Sequence, residues 1–370
     1  MKECRLKDIC IKGSSNLKQK DVEGKKGLYP VYGASGKISS IDIYHQENEY
    51  IAIVKDGSGI GRVSFMPPKS SVIGTMQYIL PKEGYNIRYI GYCLQSLGLN
   101  KYKQGAAIPH IYFRDYGERI VKVSEDIEEQ RRIVSYLDSS FQLIDKIKEK
   151  AQKSLSEAKA LFQSALAEAM EPKEGWEEKT LKEIGLTQTG TTPSKANKAY
   201  YGNYIPFIRP SEINIDGIGT IEYNSEIMLS QKGIEVGRKF TKNSILMVCI
   251  GATIGKVGYS GRDVSCNQQI NVLSPYNGYN YKYIYYAMSS SDFQKKVIKE
   301  GTSAQATLPI INKGKWERLP LHIPPLSTQH QIVSHLDKLS SNVKQMEEKY
   351  KKIVDECDAL KQAMLRDVFE

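Results

Sequence analysis

The sequence lacks what a membrane or secreted protein would need. No apolar run approaches the roughly 18–20 residues of a membrane span, and the opening MKECRLKDIC has no apolar leader core. Six cysteines (Cys4, Cys10, Cys93, Cys249, Cys266 and Cys357) are scattered, without a CxxC pair or a nearby histidine cluster. That argues against a disulfide framework or structural zinc, and fits a reducing, cytoplasmic setting. Five histidines form neither HExxH nor HxE with CxxC, so hydrolytic zinc is not expected. Gly251-Ala-Thr-Ile-Gly-Lys-Val257 has one residue too few between its glycines for a phosphate loop, and Val257 stands where Ser or Thr is needed. Gly57-x-Gly59-x-Gly61 lacks the GxGxxG spacing. Asp21, Glu23 and Lys25 mimic a nuclease triad only within a five-residue Lys/Gly-rich loop, and no Asn/Asp-Pro-Pro-aromatic tetrapeptide is present. With no catalytic constellation, the chain is not expected to be an enzyme or to hold a metal or cofactor.

What is present is positive charge in two blocks. The 370 residues carry 52 Lys and Arg against 42 Asp and Glu, a net +10. Residues 1–125 hold +7 and 173–326 hold +6, while 126–172 and 327–370 are close to neutral. Tyrosine divides the same way, with eleven of 24 in each basic block. Lys/Arg-rich, Tyr-dotted blocks suit a polyanion whose phosphates take cations and whose bases accept hydrogen bonds or stacking.

The chain also repeats itself. Glu129–Asp138 reads EQRRIVSYLD and Thr328–Asp337 reads TQHQIVSHLD, at one constant offset. Upstream, Gly57-Ser-Gly-Ile-Gly-Arg-Val63 pairs with Gly251-Ala-Thr-Ile-Gly-Lys-Val257, and Leu6-Lys-Asp-Ile9 with Leu181-Lys-Glu-Ile184. Each copy runs from short strands and glycine turns into one long helix. Strands are expected at Tyr50–Val54, Val63–Phe65, Gln77–Leu80 and Ile120–Val123, then at Ile245–Ile250, Lys256–Tyr259 and Gln269–Leu273. Short helices are expected at Tyr89–Leu97 and at Tyr283–Met288 running on into Phe293–Ile298.

Leu339, Val343, Met346, Tyr350, Ile353, Cys357, Leu360 and Met364 alternate at spacings of four and three. Ile144, Ile147, Ala151, Ala158, Leu161 and Ala165 do the same, with Ser154 interrupting, until Pro172 opens a linker. A sustained 3.5-residue period predicts a coiled-coil seam, most simply formed by the two segments together. From Leu137 to Ala169 such a helix would be roughly 50 Å long. The expected fold is mixed α/β: globular domains at 1–125 and 173–320, each followed by a long helix (126–172 with its linker, and 321–370), the helices pairing as an antiparallel coiled coil.

Two globular parts, each followed by a long helix with an EQxxIVxxLD-like start, resemble the specificity subunit of type I restriction–modification systems. The resemblance covers the whole chain and rests on the paired helix starts, Ile323-Pro-Pro-Leu326, Tyr29-Pro-Val-Tyr-Gly33 and Ile205-Pro-Phe-Ile-Arg-Pro210. Val123-Ser-Glu-Asp-Ile127 replaces the Pro-Pro-Leu of the first junction. The resemblance implies that each globular part is a target-recognition domain reading one half of a split, asymmetric double-stranded DNA sequence. The helices would act as a ruler of about one to one and a half DNA turns, at ~34–36 Å per turn. They would dock two adenine-methylating subunits, joined by two motor-nuclease subunits for cleavage. S-adenosylmethionine, ATP and magnesium would belong to those partners. The alternatives are a standalone two-armed DNA-binding protein and a coiled-coil scaffold.

Cations near glycine turns and polar loop residues are the expected DNA contacts. In the first domain these are Lys37, Lys55, Ser58, Arg62, Thr75 and Gln77. In the second they are Thr191, Ser194, Lys195, Arg209, Ser211, Lys256, Asn267, Gln268 and Gln305. Arg62 and Lys256 stand out, because both copies put a cation on a glycine turn. Gln130, Arg131, Gln329 and His330 are candidates for contact with a methylating subunit, or else for plain packing, the expected role of Ile133, Leu137, Ile332 and Leu336.

Overall fold

The computed structural model describes residues 1–105, 109–213, 221, 227–302 and 308–369. The chain divides into two compact units, one of Met1–Ala151 with Lys351–Glu370 and one of Gln152–Tyr350. The boundaries thus fall inside the long helices rather than at their starts.

In the first unit the strands are β1 (Lys2–Arg5), β2 (Cys10–Ser14), β3 (Tyr29–Gly33), β4 (Gly36–Ile41), β5 (Tyr50–Val54), β6 (Val63–Met66), β7 (Ser71–Val72), β8 (Met76–Pro81) and β9 (Ile120–Val123). An antiparallel sheet has the order β2-β8-β5-β6, and a smaller one the order β4-β3-β7. Every residue of β5 is buried, because both faces of the sheet are covered. Ile51 and Ile53 enter one core with Ile79 and Tyr89, while Tyr50, Ala52 and Val54 enter a second with Tyr78. That is why β5 reads as a continuous apolar run rather than an alternating one. α1 (Ile87–Ser96) packs on the first face, and its N-cap Asn86 accepts from the amides of Arg88 and Tyr89. β1 and β9 pair separately, Lys2 opposite Val123, and lead into α2 (Ile127–Ala169).

The second unit repeats this plan. Its strands are β10 (Glu177–Thr180), β11 (Gly185–Thr189), β12 (Tyr201–Ile208), β13 (Met228–Leu229), β14 (Ile245–Val248), β15 (Val257–Tyr259), β16 (Ser265–Cys266), β17 (Ile270–Pro275) and β18 (Pro320–Ile323). The sheet order β11-β17-β14-β15 matches the first unit, as do β13-β12-β16 and the pair β10-β18. In both copies the central strand of the small sheet runs parallel to a two-residue strand, Val31 beside Ser71 and Phe207 beside Ser265. The expected continuous helix over 283–298 is instead two, α3 (Tyr281–Ser289) and α4 (Ser291–Gly301). Ser290 between them is extended (ψ 149°) and its hydroxyl caps Phe293.

α2 and α5 (Leu326–Phe369) have 43 and 44 residues, about 65 Å at 1.5 Å per residue and longer than the 33 expected. They begin 17 and 13 residues before the coiled-coil spacing does, at Ile127 against Ile144 and at Leu326 against Leu339. Asp126 accepts from the Glu128 amide at one start, and Pro324-Pro325 precede the other. The helices pair antiparallel: in the first unit Lys148 meets Asp358 (2.8 Å) and Asp145 meets Lys361 (2.6 Å). In the second unit Lys159 meets Glu347 at 2.7 Å. Such exposed pairs add little stability individually, but they mark the register.

The seam keeps most of the positions read from the sequence, with Ile144, Val343 and Cys357 buried and Ala158, Ala165, Leu339 and Met364 packed on the cores, but it departs from that reading at a few. Leu155, Phe162 and Leu166 are buried in α2, whereas Ile147 and Leu161 are 53% and 62% exposed. Leu360 in α5 is likewise exposed, and partly buried Lys361 takes the seam position beside it. Ser154 therefore interrupts nothing. All six cysteines are free, and burial pushes the Cys10 and Cys249 thiols up to about 12 and about 11. No helix among the described residues is long and apolar enough to cross a membrane.

Candidate nucleic-acid interface

The two glycine turns are alike in detail. Each leaves an inner strand of the large sheet, β5 or β14, is pinned at its first glycine (Gly57 N to Pro109 O, Gly251 N to Pro309 O), and returns at its last (Gly61 N to Val54 O, Gly255 N to Val248 O). Gly57, Gly59, Gly61, Gly251 and Gly255 all have φ between 79° and 106°, which only glycine adopts cheaply. Gly61 also lies against the chain at Asn100, whose amide nitrogen would be 2.5 Å from an added Cβ.

Beyond the turns lie two open grooves of about 630 and 440 Å³. Arg62, Gln95, Asn100 and Gln362 line the first; Lys256, Ser289, Gln294 and Gln163 line the second. Gln163 and Gln362 occupy equivalent positions on the two long helices, and sequence reasoning did not select them. Arg62 lies folded across Gly59, exposed, while Lys256 is half-buried. Ser58 is exposed on its turn.

A second cluster forms where loops meet at one edge of the small sheet. In the second unit Asn267 N donates to Ile208 O (3.1 Å) and Thr191 N to Cys266 O (3.0 Å), while Thr192 donates to Gln268. Thr191, Arg209, Asn267 and Gln268, distant in sequence, thereby converge. Arg238, absent from the expected set, joins them through a 2.6 Å bond to Thr189 O. Ser194, Lys195 and Ser211 are exposed on the flanking loops. In the first unit the amides of Lys55 and Asp56 both donate to Thr75 O, bringing Lys55 and Thr75 together. Asp56 pairs with His110 and lies 3.9 Å from Lys55, a partner the sequence did not suggest. Lys37 is exposed on β4 opposite Tyr32. Gln305 lies outside the described residues.

Three expected contacts are corrected by burial. Gln77 is 1% exposed, and its amide donates to the Tyr116 hydroxyl inside the core, so it cannot meet DNA. Gln130 is fully buried: its oxygen accepts from Asn86 N (2.7 Å) and its nitrogen donates to Gly84 O and Ser124 O. Gln329 repeats this at 1% exposure, accepting from Asn280 N and donating to Pro324 O. Neither can reach a partner, and both tie a long helix to the cap of a short one.

The aspartate ending each motif completes the fastening. Asp138 takes Arg88 and Tyr92, and Asp337 takes Lys282 and Tyr286. Burial, then the bond to Asp138, push Tyr92 up to about 12, so it remains a donor at neutral pH. Arg131, paired with Glu128, and His330, bonded to Asn280, stay on the outside. Among the described residues no group of three or more His, Cys, Asp or Glu is placed to hold a metal ion.

The model of the type I restriction modification DNA specificity domain matches residues 1–156 and 173–354, nearly the whole chain. The type I restriction enzyme HindI specificity subunit of Haemophilus influenzae is 26% identical over 172 residues, covering 45% of this chain and 37% of that protein. The MjaIX specificity subunit of Methanocaldococcus jannaschii is 27% identical over 187 residues, covering 48% and 41%. These matches thus span about two fifths of each relative. Among solved structures, a chain from a study of complex assembly and conformational transition of the type I R-M system superposes with TM-score 0.71 at 16% identity, covering 98% of this chain and 96% of that one. The HsdS subunit of Thermoanaerobacter tengcongensis gives 0.51 at 16% identity, covering 98% and 95%. At such identities these two likenesses speak for the fold, which is the two-unit plan described above. Taken with the duplicated architecture, the family match identifies the chain as a member of the type I restriction–modification DNA specificity family.

Proposed function

We propose that the chain reads a split, asymmetric DNA sequence, one half with each unit, and positions methylating subunits for adenine methylation and motor-nuclease subunits for cleavage. It contributes recognition and no chemistry; S-adenosylmethionine, ATP and magnesium belong to the partners, in the cytoplasm. The observation that carries this reading is the duplication: two units of one topology offer a cation on a glycine turn over an open groove, yet differ in their loop residues. Equivalent scaffolds with unlike loops suit two different half-sequences. Arg131 and His330, at matching outward places on the helices, remain the candidates for contact with a methylating subunit.

The test is to co-express the chain with a neighbouring methylase gene and map methylated adenines across a genome by single-molecule sequencing. A motif of two fixed halves with a constant gap is expected. Methylation unchanged on deletion of the chain, with no co-purification, would favour a standalone DNA-binding protein. Arg62→Ala and Lys256→Ala test the grooves separately. Each is expected to weaken binding and to lower the slope of log K against log salt by about one. An unchanged slope removes that residue from the interface.

A further inference from the structure

Glu212 is a carboxylate buried where none is needed for the core. It ends the tight turn Pro210–Glu212 after β12 and is 6% exposed, beside Ile213 and the apolar cluster under the small sheet. Both oxygens are committed to one residue: Oε2 accepts from the Arg209 amide, and Oε1 from Arg209 Nη2 at 3.1 Å. A buried carboxylate left unpaired would be costly, so this contact is held. The Arg209 side chain nevertheless stays 44% exposed, on the loop edge where Asn267, Gln268 and Thr191 converge.

We propose that Glu212 is a positioning residue that fixes Arg209 to read a guanine in the half-sequence taken by the second unit. The proposal rests on the DNA-reading function above and names one element of that reading. A free arginine must surrender rotamer freedom on binding; here Glu212 has already restrained one side of the guanidinium. The other N–H groups remain in their planar fork, which matches the O6 and N7 acceptors of guanine. The pair is also nearly neutral. A neutralised guanidinium gains less from a phosphate than a lone cation such as Arg62 does, so a base edge, where geometry rather than net charge decides, is the better ligand.

The first unit lacks the device. Aligning the parallel registers of the small sheets sets Gly33 opposite Arg209 and Gly36 opposite Glu212. The two halves of the target are therefore read by different chemistry, with the guanine belonging to the second.

The full chain, its Arg209→Ala and Glu212→Gln variants and the double variant are each used to select duplexes from a randomised pool, after circular dichroism and melting confirm folding. Glutamine keeps an oxygen for the Arg209 amide but no charge for the guanidinium. The wild type is expected to select a fixed G·C pair that Arg209→Ala loses. Glu212→Gln should lose the same pair, discrimination falling about tenfold or more, with other positions unchanged and the double variant no worse than Arg209→Ala. If Glu212→Gln is unstable, Glu212→Asp should show a partial loss at that pair alone. Selection at that pair unaffected by either Glu212 variant, while Arg209→Ala abolishes it, overturns the positioning role and leaves the DNA-reading function standing. A wild-type chain that selects no sequence overturns both.

Discussion

Replacing Gln130 by leucine is expected to destabilise the first unit by about 3 kcal/mol or more, read as a shifted denaturation midpoint. The side chain makes three bonds to backbone groups, at Asn86, Gly84 and Ser124, from a fully buried position. Leucine supplies none, and each buried orphan costs about 1–3 kcal/mol. Gln329→Leu should act the same way on the second unit through Asn280 and Pro324. The neighbour Arg131, exposed and paired with Glu128, serves as the control: Arg131→Ala should shift stability by less than about 1 kcal/mol. Equal effects at 130 and 131 would mean that the helix start is held by something other than this amide.

Gly190→Ala is expected to disable the second unit's loop edge. A Cβ there would overlap Asn267 O and come within 2.5 Å of Cys266 O. Both are backbone atoms of the β16 turn, so a side-chain rotation cannot relieve the clash. The turn must separate from the end of β11, breaking the Thr191–Cys266 bond that gathers the polar residues. We expect a stability loss of about 1–3 kcal/mol and selectivity lost for one half of the target. Gly24→Ala tests whether glycine replacement in itself is harmful: Gly24 has φ 74° but no atom within 4 Å of the added Cβ. Its cost should be about 1 kcal/mol, with selectivity unchanged.

Much of this architecture is legible in the sequence itself. Tyr50–Val54 and Ile120–Val123 emerged with the expected bounds, because continuous and alternating apolar patterns encode two-faced and one-faced burial directly. The paired helix starts announced the duplication. The seam was harder: near Leu155, steps of three and four both land on acceptable residues, and only the partner helix decides. Burial rejects the DNA contact expected of Gln77 and decides for packing at Gln130 and Gln329, and one reason hides all three in the sequence. A polar residue satisfied by buried backbone or by a tyrosine looks, in sequence, like one facing water. The Asn267–Ile208 and Thr191–Cys266 bonds join segments tens of residues apart, so no local pattern marks the loop edge. Glu212 had a faint signal, an acidic residue three places after Arg209 with proline between, the spacing of a reciprocal cap.

The small strand pairs at the base of each unit have a practical meaning. Lys2 lies opposite Val123, and Glu177 opposite Ile323, so in each unit the strand that opens the globular part lies beside the strand that closes it. In the second unit the part between is topologically an insertion between the two long helices, clasped at its neck by one antiparallel ladder. A foreign cassette with the same neck could be grafted at these strands without cutting either long helix. Gln130 or Gln329 would still find a backbone cap to grip, provided the cassette brings an Asn86- or Asn280-like turn. A protein built this way can exchange what it reads while keeping what holds the reader.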